Sequence, residues 1–277
     1  AITNQFLKEF PKVKNVNLFE LGPGNGLLSM DIYHYLKSKN INVNDLTLLE
    51  KSEYFREKIS EKSEVKVNFI KNIYDYKIDN GDVVFIYSNE FFDAIGSKQF
   101  IYNNGNFNEI KISKNNDEYL LIKDSTIISR ELLNYYSSYN FKDNDILEHS
   151  NLILNILSDI QKLEFKKYFF TTTDYGYTKL PFKSTLRLLS NHKKLNLFDK
   201  FENVDYSFGV NFELMNSFFL KNNPSIIYQK DLILNNLPSE YLKSSDKNIK
   251  EMIDLISGKK FGGMGTSFLN LSFKKNE

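Results

Sequence analysis

The sequence contains no cysteine, which excludes disulfide bonds, thiolate nucleophiles and cysteine-ligated zinc or iron–sulfur clusters. Histidine occurs only at His34, His149 and His192, and these positions lack the spacing of metal ligands, so we expect no metal site. Arginine is equally scarce, whereas lysine and asparagine are frequent. We interpret this bias as a property of an AT-rich genome, so runs of lysine and asparagine carry little functional information.

An excess of one charge is also missing, because 36 basic residues are balanced by 35 acidic residues. The formal net charge of +1 gives no electrostatic footprint for nucleic acid or for an anionic membrane surface. No apolar run reaches the roughly 18 residues that a membrane-spanning helix needs, and no signal peptide opens the sequence. We therefore expect an intracellular protein with no nucleic-acid partner and no membrane insertion.

Short apolar runs alternate with amphipathic segments in the first third of the sequence. This alternation is typical of βαβ units and predicts an α/β fold with a doubly wound, mostly parallel sheet. A hydrophobic content of 41% over 277 residues is enough to bury a large core around such a sheet. Strands are predicted at 16–21, 46–50, 65–70 and 82–88, and helices at 27–39 and 52–62.

After residue 96 the pattern changes to a hairpin around Asn-Asn-Gly, within 99–112. We predict one domain over residues 1–277, with a β-hairpin and helical subdomain inserted at about 97–145 and a substrate-side flap at about 178–210, which reads as irregular. Further strands are predicted at 118–122, 168–177, 225–229 and 265–273, and helices at 129–139, 150–165, 210–222 and 230–257.

The first strand ends in a glycine-rich turn, GPGNG at 22–26, that leads into a helix. Such a turn lets the backbone approach a nucleotide-like cofactor, and the helix N-terminus adds oriented N–H groups. A dinucleotide motif requires a third glycine where Leu27 stands, whereas Glu20 to Gly26 spells ExGxGxG and resembles motif I of class I S-adenosylmethionine-dependent methyltransferases. A purely structural turn and a nicotinamide dehydrogenase are the alternatives.

Polar residues at the ends of the next strands complete the predicted cofactor site. We expect Glu20 to help organise the cationic amino-acid end of S-adenosylmethionine, and Glu50 to accept hydrogen bonds from its ribose. Asn72 and Ile73 follow the third strand, where the adenine would be held. The predicted cofactor-binding residues are Glu20, Gly22, Pro23, Gly24, Gly26, Glu50, Lys51, Asn72, Ile73 and Asn89.

Six motifs occur in the order found in the MidA-like methyltransferases: ELGPGNG, LLEKS, NEFFDAI, TDYGY, VDYSFGVNF and GGMGTSF. From about residue 15 onward the chain resembles this family, which includes the mitochondrial protein-arginine methyltransferase that assists assembly of respiratory complex I. The resemblance implies a seven-stranded, Rossmann-like sheet and S-adenosyl-L-methionine as cofactor. It also implies that the substrate is a protein arginine, by resemblance one in a complex I subunit, and it leaves a homodimer open.

The sequence departs from the family pattern at several places. Family members carry a longer segment before the glycine motif, and we expect it either to be absent or to lie outside residues 1–277, because only 21 residues precede Gly22. Asn25 and Ser190 stand where arginine is usual, and Asn211 where aspartate is expected. Two alternatives therefore stay open: a methyltransferase for another protein or a small molecule, and a non-catalytic assembly factor. The expected location is the cytoplasm of a bacterium or the mitochondrial matrix of a eukaryote.

Methyl transfer to a guanidinium requires acids that hold the acceptor and orient it. The fourth and fifth strands end in such groups, and carboxyl ends of parallel strands meet at one edge of a sheet. We predict Glu90 as the main acceptor-orienting carboxylate and Asp93 as the second, with Asn89 contacting cofactor or substrate. Asp174 and His192 complete the catalytic candidates. The alternatives are a turn cap for Asp93, a bond across the sheet for Asp174 and a structural role for His192.

Overall fold

The computed structural model describes residues 1–77, 83–115, 118–124, 130–190, 193–199, 204–256 and 264–276. The chain divides into two compact units. The first comprises Ala1–Phe91, Ile156–Tyr175 and Met215–Glu277, and the second comprises Phe92–Asn155 and Gly176–Leu214. Both segments that the sequence marks as interruptions, at about 97–145 and about 178–210, lie within the second unit.

Helices and strands alternate at the start of the chain, as the hydrophobic periodicity predicts. The described helices are α1 (Ile2–Glu9), α2 (Leu27–Ser38), α3 (Glu53–Lys62), α4 (Arg130–Tyr135), α5 (Asn151–Gln161), α6 (Phe212–Phe218), α7 (Gln229–Asn236), α8 (Ser239–Leu242) and α9 (Lys247–Ile256). The described strands are β1 (Asn15–Leu21), β2 (Asn42–Leu49), β3 (Asn68–Ile70), β4 (Val83–Asn89), β5 (Lys98–Asn103), β6 (Asn106–Asn115), β7 (Glu118–Asp124), β8 (Ile146–His149), β9 (Lys167–Tyr177), β10 (Arg187–Ser190), β11 (Lys193–Lys194), β12 (Asp205–Ser207), β13 (Val210–Asn211), β14 (Ser225–Tyr228) and β15 (Phe268–Asn276).

The central sheet has the strand order β14-β15-β9-β4-β1-β2-β3, and β13 pairs with the end of β9. Strands β1, β2, β3, β4 and β9 are parallel, whereas β15 is antiparallel to both of its neighbours. This arrangement confirms the predicted α/β fold with a doubly wound, mostly parallel sheet. Since β1 pairs with β2 on one side and β4 on the other, the winding direction reverses here, and such switch points are where α/β sheets bind ligands.

Aromatic side chains fill the core beneath β1 and β4. The Phe6 ring of α1 stacks on Phe85 with centroids 4.6 Å apart, and Phe169 lies 6.1 Å from Phe6. All three rings are nearly or fully buried, together with Ile32 and Leu36 on the inner face of α2. Burial of each large apolar side chain contributes about 1.5–3 kcal/mol, so these contacts fix the helices against the sheet.

A buried amide lies at the middle of β15. Asn270 has no exposed surface, and its Nδ2 donates to the Thr171 hydroxyl at 2.8 Å and the Thr173 hydroxyl at 3.0 Å on β9. The backbone register pairs Asn270 directly with Thr173. Because an unpaired buried N–H donor is costly, the contacts made by Nδ2 favour one alignment of β15 against β9.

The second unit contains a four-stranded antiparallel sheet with the order β7-β6-β5-β8. The predicted hairpin is confirmed as β5 and β6, and the third antiparallel strand as β7. Strand β8 was not predicted, since its four residues precede a strongly helical pattern. The prediction that 178–210 is irregular is wrong for the residues of β10, β11 and β12, which form a small antiparallel sheet.

Several predicted boundaries shift. Strand β2 begins at Asn42 rather than at residue 46, because its first half alternates between exposed and partly buried residues. The predicted helix over 129–139 is limited to α4, and β15 begins at Phe268 after a single 3₁₀ turn at Met264–Thr266. In the described ranges, no helix is long and apolar enough to cross a membrane.

Candidate functional site

The carboxyl ends of β1, β2 and β3 lie side by side at one edge of the central sheet. The register pairs Leu21 with Leu49, and Leu49 with Ile70. The glycine turn, Glu50 and Asn72 each follow one of these strand ends, so the fold brings the predicted cofactor residues to a common edge. On the other side of β1, the register of β4 places Asn89 at the same end of the sheet.

The glycine turn is built from three left-handed residues. Gly22, Gly24 and Gly26 have φ angles of +65°, +55° and +79°, and residues other than glycine rarely adopt this backbone conformation. The Gly26 N–H donates to the Pro23 carbonyl at 2.8 Å, and Gly26 caps the start of α2. These three positive φ angles alternate with Pro23 and Asn25 and turn the chain from the end of β1 into the start of α2.

The three glycines have different surroundings. A Cβ atom on Gly22 would lie 2.5 Å from Cδ2 of Phe91, and one on Gly26 would lie 3.0 Å from Ile59. A Cβ atom on Gly24 would meet no atom within 4 Å. A side chain at position 22 would therefore clash with Phe91 and one at position 26 would press on Ile59, whereas one at position 24 would extend into open space.

Glu20 lies beneath the glycine turn and is only 2% exposed. The Ser29 hydroxyl, in the first turn of α2, donates a hydrogen bond to the Glu20 carboxylate. The same hydroxyl lies 2.7 Å from the hydroxyl of Tyr87 on β4. Ser29 and Tyr87 were not predicted from the sequence as site residues. For Ser29, the sequence feature that could have indicated a role was a small polar residue on the buried face of α2. These three residues, the Glu20 network, connect β1, β4 and α2 below the turn.

Burial raises the pKa of Glu20 from 4.5 to about 7, and the Ser29 hydrogen bond partly opposes this shift. Because the folded pKa is above the unfolded one, the stability from this group is greatest below pH 4.5 and falls as pH rises towards 7. The shift corresponds to about 3 kcal/mol. We expect Glu20→Gln, which cannot ionise, to lose this dependence and to gain stability over the native protein above pH 7, measured by urea unfolding from pH 5 to 8.

Ser29→Ala is the matched control for this pH prediction. Because this variant lacks the hydroxyl that lowers the pKa of Glu20, we expect the pKa to rise further. The free energy of unfolding should then depend on pH up to a higher pH than in the native protein. Parallel stability curves for the native protein and Glu20→Gln would contradict the assignment of the pH dependence to Glu20.

The residues that follow β2 and β3 differ in exposure. Glu50 is half-buried, and its Oε1 accepts the Ser52 N–H at 2.7 Å, which fixes the carboxylate and leaves its second oxygen for a ligand. Lys51 is exposed beside it. The Asn72 amide is exposed and donates to Asp75 at 3.1 Å, whereas Ile73 is 4% exposed and belongs to the core.

Glu90 is exposed and adopts a left-handed backbone conformation with φ of +53°. Its N–H donates to the Thr173 carbonyl at 2.9 Å, which holds the residue against β9. The exposed Asn89 amide donates to Glu90 Oε1 at 3.2 Å. Strain of this kind at a non-glycine residue is concentrated at functional sites. Glu90 is thus an oriented carboxylate directly after β4.

Asp174 differs from Glu90 because its side chain is fully buried. Its Oδ2 accepts the Thr172 hydroxyl at 2.7 Å, and Thr172 accepts the Ser88 hydroxyl at 2.7 Å. This chain of hydroxyls connects β4 to β9 inside the sheet. The bond from Thr172 to Asp174 lies within β9, and only the Ser88 hydroxyl crosses to β4, so the catalytic prediction for Asp174 stays a prediction.

The other catalytic candidates lie outside the first unit or outside the described residues. Asp93 belongs to the second unit, is 6% exposed, and its carbonyl accepts the Phe208 N–H at 2.9 Å. His192 lies outside the described residues. Another acid of the second unit, Glu148 on β8, accepts Gln99 Nε2 at 2.7 Å and the Thr185 N–H at 2.9 Å through Oε1, and the Thr185 hydroxyl through Oε2.

Comparison with known proteins agrees with this geometry. Residues 1–226 match a family described as S-adenosyl-L-methionine-dependent methyltransferase. Two related crystal structures from Burkholderia thailandensis superpose with TM-scores of 0.80 and 0.77 at 14% identity, and cover 98% of this chain and 77% and 74% of theirs. The second contains S-adenosylhomocysteine. No curated protein sequence matches the chain.

A glycine turn at the switch point, five parallel strands and an antiparallel strand inserted beside β9 define a class I S-adenosylmethionine-dependent methyltransferase. The family match extends over four-fifths of the sequence, from Ala1 to Ile226. The chain belongs to the MidA-like S-adenosylmethionine-dependent methyltransferases, and its cofactor is S-adenosyl-L-methionine.

Proposed function

We propose that this chain methylates an arginine side chain of a protein substrate, by resemblance an arginine in a subunit of respiratory complex I. The observation that carries the proposal is Glu90, an exposed carboxylate that is held in a left-handed conformation at the end of β4. A guanidinium group is planar and cationic, and it pairs with a carboxylate through charge-assisted hydrogen bonds. Glu90 has the charge and the exposure for this task.

The residues of the first unit fit the cofactor that the family uses. Gly24 leaves open space where a side chain would intrude, and Glu50 offers a fixed carboxylate for ribose hydroxyls. Leu27, which is 63% exposed, replaces the third glycine of a dinucleotide motif. S-adenosylmethionine, when bound, supplies an electrophilic methyl group on its sulfonium. The role assigned to Glu90 is to hold the guanidinium and direct one nitrogen towards that edge of the sheet.

Isothermal titration is the first test. We expect S-adenosylmethionine and S-adenosylhomocysteine to bind and NADH not to bind, because Leu27 interrupts the dinucleotide motif. Binding of NADH without S-adenosylmethionine would overturn the cofactor assignment. Glu90→Ala should bind the cofactor like the native protein, since Glu90 is assigned to the acceptor.

Methyl transfer is tested separately. The native protein and Glu90→Ala are each co-expressed with candidate complex I subunits, and the subunits are analysed by intact mass and by mapping of modified arginines. We expect a methylated arginine in subunits co-expressed with the native protein and none in subunits co-expressed with Glu90→Ala. A methyl group on another residue type or on a small molecule would replace the proposed acceptor, and cofactor binding without any transfer would favour the non-catalytic assembly factor.

A further inference from the structure

Strand β7 carries an unusual series of exposed apolar side chains. Tyr119, Leu120, Leu121 and Ile122 are consecutive and are 43–53% exposed, and Ile112 on the adjacent β6 is 55% exposed. In the part of the chain that the structure describes, β7 pairs with β6 on one side and with no strand on the other. An exposed, apolar edge strand is a template for pairing with another chain, and proteins normally block it with charges or proline.

The apolar side chains lie on both faces of the hairpin. Because residues paired across antiparallel strands point to the same face, Ile112, Leu121 and Tyr119 share one face. Leu120 and Ile122 share the other. A partner that covered only one face would leave the other exposed. A strand added at the edge of β7 continues both faces at once.

We propose that β7 pairs antiparallel with β7 of a second copy of this chain, around a two-fold axis at Leu121. In this register Leu121 meets its counterpart, Leu120 meets Ile122, and Tyr119 meets Lys123. The two-fold axis keeps each side chain on its own face only when paired residue numbers sum to an even value, and this register satisfies that condition. Both apolar faces then continue without interruption from one copy to the other.

Charge is compatible with this pairing. Lys123 faces the ring of Tyr119 from the other copy, and within one copy the same ring already has Lys114 Nζ at 5.8 Å from its centroid. Asp124 forms an ion pair with Lys111 of its own copy, so its charge is already compensated at the end of the paired strand.

The surface area that the pairing buries limits the strength of the association. Because side chains stand perpendicular to the sheet, a paired edge covers only the flanks of the four apolar β7 side chains of each copy, and the buried area stays below that of a standard interface of roughly 1,600 Å². The backbone hydrogen bonds between the paired edges contribute the rest of the binding free energy. We therefore expect a dimer that dissociates in the micromolar range rather than a permanent one.

Sedimentation over a wide concentration range tests the proposal with the full chain. The native protein should increase from its monomer mass of 32.5 kDa towards twice that value. Leu121→Lys should remain a monomer, because its charge would face the same charge across the axis. Leu220→Lys is the matched control, since Leu220 is 64% exposed on another part of the surface, and it should associate normally. Circular dichroism confirms that each variant is folded.

A native monomer at all concentrations would overturn the proposal, as would a Leu121→Lys variant that associates like the native protein. The absence of cysteine allows a second test. Leu121→Cys should form a disulfide-linked dimer under mild oxidation, because facing cross-strand residues are within disulfide reach, whereas Leu220→Cys should not. Equal cross-linking of the two variants would reflect random collision and would also overturn the proposed pairing.

Discussion

Replacing Gly24 with alanine is expected to weaken S-adenosylmethionine binding by about 100-fold, or about 2.8 kcal/mol, while the protein stays folded. The positive φ of Gly24 makes alanine unfavourable by about 1–2 kcal/mol, but its Cβ atom meets no protein atom within 4 Å. The added methyl group would therefore occupy space where the backbone approaches the cofactor. Isothermal titration gives the affinity, and urea unfolding gives the stability.

Gly22→Ala provides the contrast. It has the same backbone cost, but its Cβ atom would lie 2.5 Å from the Phe91 ring, so we expect an additional packing cost of about 1–3 kcal/mol. Combining it with Phe91→Ala should remove the clash and leave the backbone cost, which a double-mutant cycle resolves. If Gly24→Ala binds cofactor normally, or if Phe91→Ala gives no coupling with Gly22→Ala, the roles assigned to these two glycines are wrong.

Glu90→Gly is expected to make the protein more stable and nearly inactive. Glycine tolerates the φ of +53°, so relief of the strain should add about 1 kcal/mol to the free energy of unfolding. Loss of the carboxylate should lower methyl transfer by about 100-fold, the value expected for one or two charge-assisted hydrogen bonds to the acceptor. Thermal unfolding measures the stability, and release of S-adenosylhomocysteine with the identified acceptor measures transfer.

Glu90→Gln separates charge from backbone strain. It keeps the shape of the side chain and a non-glycine backbone, so its stability should match that of the native protein while its transfer rate falls as in Glu90→Gly. Retained activity in Glu90→Gln would remove Glu90 from the acceptor site. Loss of cofactor affinity in either variant would instead place Glu90 at the cofactor.

Strong local signals made the central sheet predictable. Apolar runs that alternate with amphipathic helices defined β1, β2, β4 and β9, and ExGxGxG located the turn whose glycines have positive φ. Weak signals explain the errors. Strand β8 has four residues, and β10 to β12 have between two and four, so their pairing depends on distant partners rather than on local periodicity.

The site was only partly predictable, for a different physical reason. Strand ends identified Glu50, Asn89 and Glu90, because topology alone brings such residues to one edge. Whether an acid is exposed or buried depends on its tertiary neighbours. Asp174 and Glu90 both follow buried strand residues in the sequence, yet one is fully buried against Thr172 and the other faces solvent.

The Asn270 contact with β9 also has a consequence for the order of assembly. Strand β15 is made after all five parallel strands, yet it must insert between β14 and β9. During synthesis, the edge of β9 stays unpaired until Phe268 and the residues after it emerge. An arriving strand that is displaced by one residue would place an apolar side chain opposite the threonine hydroxyls and turn the amide to the other face of the sheet. The Asn270 amide therefore selects the correct alignment when β15, the last strand along the chain, joins the sheet.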